Sequence, residues 1–152
     1  MYCIWRPHVT VAAVVERGGR FLLVEERVDG AVRINQPAGH LEFGETLAQA
    51  VARETLEETR HDFTPHALIG AYLLPTGPDA SSITYLRMAF TGTLGAEHSE
   101  RPLEDGIERI LWLTREEIAA RGALMRSPLV LRCVDDYLAG RRAGLDLLHY
   151  VS

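Results

Sequence analysis

The stretch AGHLEFGETLAQAVARETLEETR, residues 38–60, combines a glycine-containing loop with a helical pattern. Thr46 and Gln49 have the spacing of a capping box, which predicts that a helix begins at this point. At 100° per residue, one arc of about 120° holds six side chains, namely Leu47, Ala50, Val51, Glu54, Glu57 and Glu58. The stripe that should pack against a core therefore continues into three acids.

The three acids on this stripe repel one another. Glu54 lies three positions before Glu57 and four before Glu58, and such like-charge pairs cost a few tenths of a kcal/mol each. Near a helix C-terminus the dipole disfavours an anion by about 0.3–1 kcal/mol. A divalent cation would offset both effects, and oxygen ligands suit Mg²⁺ or Mn²⁺. The alternative is a solvated acidic face with Arg53 and Arg60 as its local partners.

The other segments predict strands and two further helices. Residues 8–15 and 21–27 flank a glycine turn and predict a hairpin, and residues 67–75 and 81–94 flank the turn at 76–80 and predict a second one. Other strands are predicted at 31–36 and 108–114. The helices are predicted at 115–122 and 127–140, the second with Ser127 as N-cap, Pro128 as first residue and Gly140 at its end. Strands and helices of this size predict one α/β domain over 1–152, with a mixed sheet and helices on its faces.

The composition excludes several classes of protein. The net charge of −5 and the lack of clustered basic residues argue against binding a nucleic-acid polymer. Cys3 and Cys133 have no metal-ligand spacing, so neither a disulfide framework nor a zinc site is expected, and Cys133 is expected to be buried. No apolar run approaches the roughly 18 residues of a membrane span, and the N-terminus does not resemble a signal peptide. We therefore expect a cytoplasmic protein.

The acidic stretch resembles the signature of the Nudix hydrolases, the MutT-like family. That signature is Gly, five residues, Glu, seven residues, Arg-Glu, two residues and Glu-Glu, and it matches Gly39, Glu45, Arg53, Glu54, Glu57 and Glu58. Residues 8–15, 35–42 and 126–130 extend the resemblance over most of the chain. The resemblance implies an α/β/α sandwich with a mixed sheet, dependence on Mg²⁺ (or Mn²⁺), and hydrolysis of a diphosphate linked to another group.

The resemblance also implies the substrates and partners. In the branch of the family to which the chain is most similar, the substrates include nucleoside tri- and diphosphates and thiamine-type pyrophosphates. The expected partner is thus a small-molecule diphosphate, and the protein is expected to be a monomer or a dimer. Two alternatives stay open: the same fold acting on ADP-ribose, a dinucleoside polyphosphate or an isoprenoid diphosphate, and a non-catalytic module that senses nucleotides.

By the same resemblance, Glu54, Glu57 and Glu58 bind the metal, and Gly39 contributes a backbone carbonyl. Glu45 and Arg53 are expected to form an ion pair that orients the loop and the helix, so Arg53 is counted with the catalytic residues.

The proton of the attacking water must pass to a carboxylate. Glu54 is our first candidate for this base, because it is central in the cluster. Glu108 is the second candidate, since the family often places an acid four residues before a Trp, here Trp112. The alternative for Glu108 is a surface residue at a strand edge, and Trp112 itself is expected in the core.

Arginines are candidates for contacts with the substrate, because their guanidinium groups bind phosphate bidentately. Arg126 precedes a predicted helix N-terminus, which itself favours an anion. Further candidates are Arg20, Arg33 and Arg87, each with a solvated surface role as the alternative.

Arg60 departs from the family pattern, which usually has glycine at this position. Glycine there forms a left-handed helix cap, and a non-glycine residue in that conformation costs about 1 kcal/mol. The sequence therefore predicts an altered helix end at Arg60.

Overall fold

The computed structural model describes residues 4–152, so Cys3 lies outside the described part of the chain. One of its two sheets has five strands, namely β1 (His8–Ala13), β5 (Ala38–His40), β6 (His61–Pro75), β7 (Thr84–Glu97) and β9 (Ala143–Gly144). Their order across the sheet is β5-β1-β7-β6-β9. Strand β1 runs parallel to β7 and antiparallel to β5, and the other pairings are antiparallel. The sheet is therefore mixed, as predicted.

The second sheet is built around one long strand. Its members are β2 (Glu16–Arg17), β3 (Arg20–Val28), β4 (Ala31–Asn35) and β8 (Ile107–Thr114). Strand β3 pairs antiparallel with each of the other three. The two longest strands, β6 and β7, form the predicted hairpin in the first sheet, although β6 begins directly after a helix.

The prediction that residues 8–15 and 21–27 form a hairpin is wrong. The glycine turn joins β3 to the short strand β2, with Gly18 and Gly19 at φ of 58° and 77°. Strand β1 instead lies between β5 and β7 in the other sheet. Its residues Val11 and Ala12 are both completely buried, which is the pattern of an interior strand. The local sequence marks the turn correctly but does not choose the partner of β1.

The helices lie on both sides of the sheets. Helix α1 (Leu47–Thr59) packs with Ala50 and Val51 against Phe63 and Phe90 of the first sheet. Two others, α2 (Arg115–Ala120) and α3 (Leu129–Leu138), share a second core with both sheets. That core contains Phe21, Leu23, Leu113, Ile118, Val130, Cys133 and Val134. The predicted α/β/α architecture and the burial of Cys133 are confirmed, and no helix in residues 4–152 has the length and hydropathy to cross a membrane.

Both ends of α1 are formed by local contacts. The capping box is complete, because Thr46 Oγ1 accepts from Gln49 N and Gln49 Oε1 accepts from Thr46 N. At the other end Arg60 adopts the left-handed conformation, with φ 62° and ψ 16°, and its N–H donates to Leu56 O at 2.8 Å. The prediction of an altered helix end is wrong, since the cap is kept without glycine. The Arg60 guanidinium lies 3.2 Å from the Glu97 carboxylate on β7.

Candidate active site

Three acids meet at the C-terminal half of α1. Single carboxylate oxygens of Glu54, Glu57 and Glu104 all lie within 4.8 Å of one another. Glu54 is buried, Glu57 is half-buried and Glu104 is exposed. Glu104 comes from the loop before β8, where its N–H donates to the carbonyl of Glu57 at 3.0 Å. We call these three residues the acidic cluster.

Glu58 lies beside the acidic cluster and is more deeply buried. Its side chain lines the same cavity as Glu54 and Glu104, which we call the acidic cavity. Its Oε1 accepts from Ala38 N at 3.3 Å. Burial, with the nearby charges of Glu54 and Glu26, raises the pKa of Glu58 to about 9. Without a cation, the ionised form of this carboxyl is therefore costly.

The pKa values of neighbouring acids shift in the same direction. Burial raises the pKa of Glu54 and of Glu104, and their like-charged neighbours add to the shift. Burial likewise raises the pKa of Glu26 on β3, which faces the same cavity. A positive charge in this cavity would reverse these shifts, because it stabilises every ionised carboxylate around it.

Gly39 allows the backbone of β5 to approach the acids closely. A Cβ atom added at Gly39 would lie 2.2 Å from the carboxylate carbon of Glu54, far inside van der Waals contact. A residue with a side chain would therefore displace the Glu54 carboxylate. This contact places the Gly39 backbone directly against an acid of the cluster.

Arg53 connects the acids to the loop before α1. Its Nε and Nη2 donate to the two carboxylate oxygens of Glu45 at 3.0 and 2.7 Å, the predicted ion pair. Its Nη1 lies 2.8 Å from Glu54 and 3.3 Å from Glu57, and its Nη2 donates to the carbonyl of His40 at 3.0 Å. The hydrogen bond from Arg53 lowers the pKa of Glu45. One guanidinium thus fixes the positions of two cluster acids relative to β5.

The donor set fits a hard divalent cation. The acidic cluster offers carboxylate oxygens only, as Mg²⁺, Mn²⁺ and Ca²⁺ prefer, and neither His nor Cys belongs to it. The raised pKa values and the close contact at Gly39 point the same way. The acidic cluster could therefore bind a metal, with Glu58 at its edge.

Glu104, and not Glu108, lies beside the acids of α1. Glu108 lies on β8, where its Oε1 accepts from Arg27 Nε at 2.8 Å, and it does not line the acidic cavity. Glu104, four residues earlier, reaches the acidic cluster. Glu104 lies in the loop before β8, which turns at Gly106 with φ of 92°, whereas Glu108 lies on the strand itself. The dipeptide Asp105-Gly106 is the signal of that turn.

A second cavity of about 360 Å³ adjoins the acidic one. Arg87 and Arg126 line it, and Arg126 Nη1 lies 3.6 Å from Glu26. Arg20 and Arg33 do not line this cavity. Arg20 donates to Glu117 at 3.0 Å, and Arg33 donates to the Val32 carbonyl at 2.9 Å. The structure thus brings two of the four candidate arginines to the neighbourhood of the acids.

Tyr85 and Trp112 lie in different surroundings, one at the cavity and the other at the core. Tyr85 lines the second cavity, beside His8 and His40. Trp112 packs against the core as expected, with the Arg17 guanidinium 5.1 Å from its ring centroid.

Comparisons with known proteins agree with this geometry. The NUDIX domain profile matches residues 6–133. Phosphatase NudJ of Escherichia coli strain K12 is 39% identical over 145 residues, which cover 95% of this chain and 92% of that protein. Phosphatase NudJ of Shigella sonnei has the same identity and coverage. A solved structure of a NUDIX hydrolase from Nitrosomonas europaea is 47% identical, with a TM-score of 0.91, covering 96% of this chain and 98% of that one. The chain therefore belongs to the Nudix hydrolases.

Proposed function

We propose that the protein is a Mg²⁺-dependent hydrolase of diphosphate linkages in small phosphorylated metabolites. The proposed substrates are nucleoside tri- and diphosphates and thiamine-type pyrophosphates, with Mn²⁺ as a second metal that supports activity. The observation that carries the proposal is the meeting of Glu54, Glu57 and Glu104 within 4.8 Å, beside a cavity with two arginines. The similarity to phosphatase NudJ supports the same class of reaction.

Glu54, Glu57, Glu58 and the Gly39 carbonyl are the proposed metal ligands, and Glu104 joins them because of its place in the acidic cluster. When bound, divalent cations offset the charge of the phosphates and lower the pKa of a coordinated water. The carboxylates of this chain would supply the negative charge that holds such ions.

Glu54 is the proposed acceptor of the proton from the attacking water. Its carboxylate belongs to the acidic cluster, beside Glu57 and Glu104, where a coordinated water would lie. Its Oε1 is oriented by Arg53 at 2.8 Å, so its position is set before substrate binds. Glu104 belongs to the same cluster and has an exposed side chain, so it replaces Glu108 as the second candidate.

Arg53 is proposed as a positioning residue and not as a ligand of substrate. Its guanidinium contacts Glu45, Glu54 and Glu57 and the carbonyl of His40, so it orders the acids and the loop together. Such supporting contacts typically contribute 10–100-fold to metal affinity or activity. The ion pair of Arg53 with Glu45 is the means by which the loop before α1 is held to the helix.

The test is hydrolysis of a panel of metabolites in the presence of Mg²⁺, with the phosphorylated products separated and identified. The panel contains nucleoside tri- and diphosphates, thiamine pyrophosphate, ADP-ribose, a dinucleoside polyphosphate and an isoprenoid diphosphate. We expect hydrolysis of the first three, which EDTA abolishes. Hydrolysis of only the last three would replace the substrate class. Nucleotide binding without any hydrolysis would show a non-catalytic sensing module.

A further inference from the structure

The cavity beside the acids contains a buried arginine that has no carboxylate partner. Arg87 lies on β7, in the middle of the five-stranded sheet, and only 5% of its surface is exposed. Its Nη1 donates to Gln36 Oε1 at 2.9 Å and its Nη2 to Asn35 Oδ1 at 3.0 Å. None of the ion pairs found in residues 4–152 includes Arg87. A buried cation held by neutral amides is costly, and an anion in the cavity would offset that cost.

The strand register aims Arg87 into this cavity. Thr10 on β1 is opposite both Arg87 on β7 and His40 on β5, so the three side chains form a row on one face of the sheet. All three line the cavity. Ala38, Gly39 and His40 line the acidic cavity as well, so β5 is a wall common to both. A ligand that extends from the acidic cluster past Gly39 therefore enters the space beside Arg87.

Arg87 and Arg126 bring N–H donors to this cavity. Arg87 occupies a side-chain oxygen of Asn35 and one of Gln36, while three of its five N–H donors are not used in these two bonds. Arg126 adds a second guanidinium. Ser127 and Leu129, at the start of helix α3, line the cavity, and a helix N-terminus favours negative charge.

Glu26 is the only carboxylate among the described residues that line this cavity, and it lies 3.6 Å from Arg126. It therefore balances one of the two arginines at close range. The remaining excess of positive charge and donors complements an anionic group rich in acceptors, and the planar guanidinium fork matches phosphate.

We propose that this cavity binds a phosphate of the substrate beyond the two phosphates of the cleaved anhydride, with Arg87 as the specificity-determining residue. The substrate class is thus a triphosphate or a longer phosphate chain, in preference to a diphosphate. This inference rests on the proposed function, because it takes the acidic cluster as the place of the cleaved anhydride.

The test is equilibrium binding, with Mg²⁺, of methylene-bridged analogues of a nucleoside triphosphate and of the diphosphate with the same base. Wild-type protein is expected to prefer the triphosphate analogue about tenfold or more, the usual contribution of a charged hydrogen bond. Arg87→Gln is expected to bring that ratio close to one by weakening the triphosphate analogue alone. Arg109→Gln is the matched control, because Arg109 pairs with Glu25 on the exposed face of β8 and lines neither cavity. It should keep the wild-type ratio.

Arg126→Gln covers the case in which Arg87→Gln fails to fold, because Arg126 is exposed at the cavity mouth. It should lower the same ratio, by less than Arg87→Gln does. Equal binding of both analogues to wild-type protein, or equal weakening of both in the variants, would overturn the proposal. Equal weakening would mean that Arg87 only supports the fold or the organic part of the ligand. Because the analogues are not hydrolysed, the ratio of their affinities is measured independently of hydrolysis. Hydrolysis of the metabolite panel tests the proposed function separately.

Discussion

At the scale of single residues, the site depends on a glycine and an acid that share one small space. The Gly39 backbone and the Glu54 carboxylate are so close that no side chain fits between them. The Glu54 carboxylate is also held by Arg53 at 2.8 Å, so it has few other positions available. Changes at Gly39 should therefore act on the acids and hardly on the core.

Gly39→Ala is expected to lower activity 10–100-fold while the thermal midpoint stays within a few degrees. The new Cβ meets the far end of a flexible side chain, so the fold is kept and the Glu54 carboxylate moves out of the acidic cluster. Enzyme assays and thermal unfolding give the two measurements. Gly122→Ala is the control, because an added Cβ there meets no atom within 4 Å. Full activity of Gly39→Ala would show that the contact has no role.

Sequence alone locates the acids of α1 but not all of the site. Glu54, Glu57 and Glu58 are marked by their position on an otherwise apolar stripe, which is a local pattern. Glu104 reaches them from a separate loop, and Arg87 reaches the adjoining cavity from another strand. Those two positions depend on strand pairing between distant segments, which a local pattern does not contain.

At the scale of elements, α1 shows how contacts outside a helix replace a glycine cap. Arg60 keeps the left-handed conformation, although its Nε is buried without a hydrogen-bond partner. The carbonyl of Arg60 accepts from His98 N at 2.7 Å, which joins the helix end to the end of β7. The cap is thus maintained by the sheet and not by the intrinsic preference of the residue.

Arg60→Gly is expected to stabilise the protein by about 0.5–1 kcal/mol in denaturant unfolding. Glycine adopts the left-handed conformation without strain, and the half-buried ion pair with Glu97 contributes little by comparison. Arg60→Ala is the matched control, since alanine keeps the strain and loses the ion pair, and it should be less stable than wild type. A lower stability of Arg60→Gly than of Arg60→Ala would contradict this account of the helix end.

The same contrast explains which elements were predicted correctly. The N-termini of α1 and α2 carry capping boxes formed by residues three positions apart, so the sequence marks where these helices begin. The partner of β1 is a different matter, because its residues 11–13 are buried on both faces and fit any interior position of a sheet. Only the complete topology places β1 beside β7 and not beside β3.

At the scale of the whole molecule, the acids of the site oppose folding when no cation is bound. The folded-state pKa of Glu58 is about 9, above the ordinary value of 4.5 that applies to the unfolded chain. Between these values the folded protein binds the proton and the unfolded chain does not. The free energy of unfolding should therefore decrease as the pH rises from 4.5 to 9.

The expected result for wild-type protein in EDTA is a lower urea midpoint at pH 8 than at pH 5.5, within the window set by the two Glu58 pKa values. Glu58→Gln should reduce this dependence, because the glutamine does not ionise. Saturating Mg²⁺ should reduce it as well, since a cation stabilises the ionised acids. An identical pH dependence in wild type and Glu58→Gln would show that Glu58 does not carry the effect.

The most direct test of the central claim is a calorimetric titration of the protein with Mn²⁺ and Mg²⁺. The acidic cluster is predicted to bind a divalent cation in wild-type protein, and Glu57→Gln is predicted to weaken that binding at least tenfold while the thermal midpoint in EDTA is kept. Glu108→Gln is the matched control, because Glu108 pairs with Arg27 outside the cluster, and it should bind as wild type does. Equal metal affinity of wild type and Glu57→Gln would contradict the account.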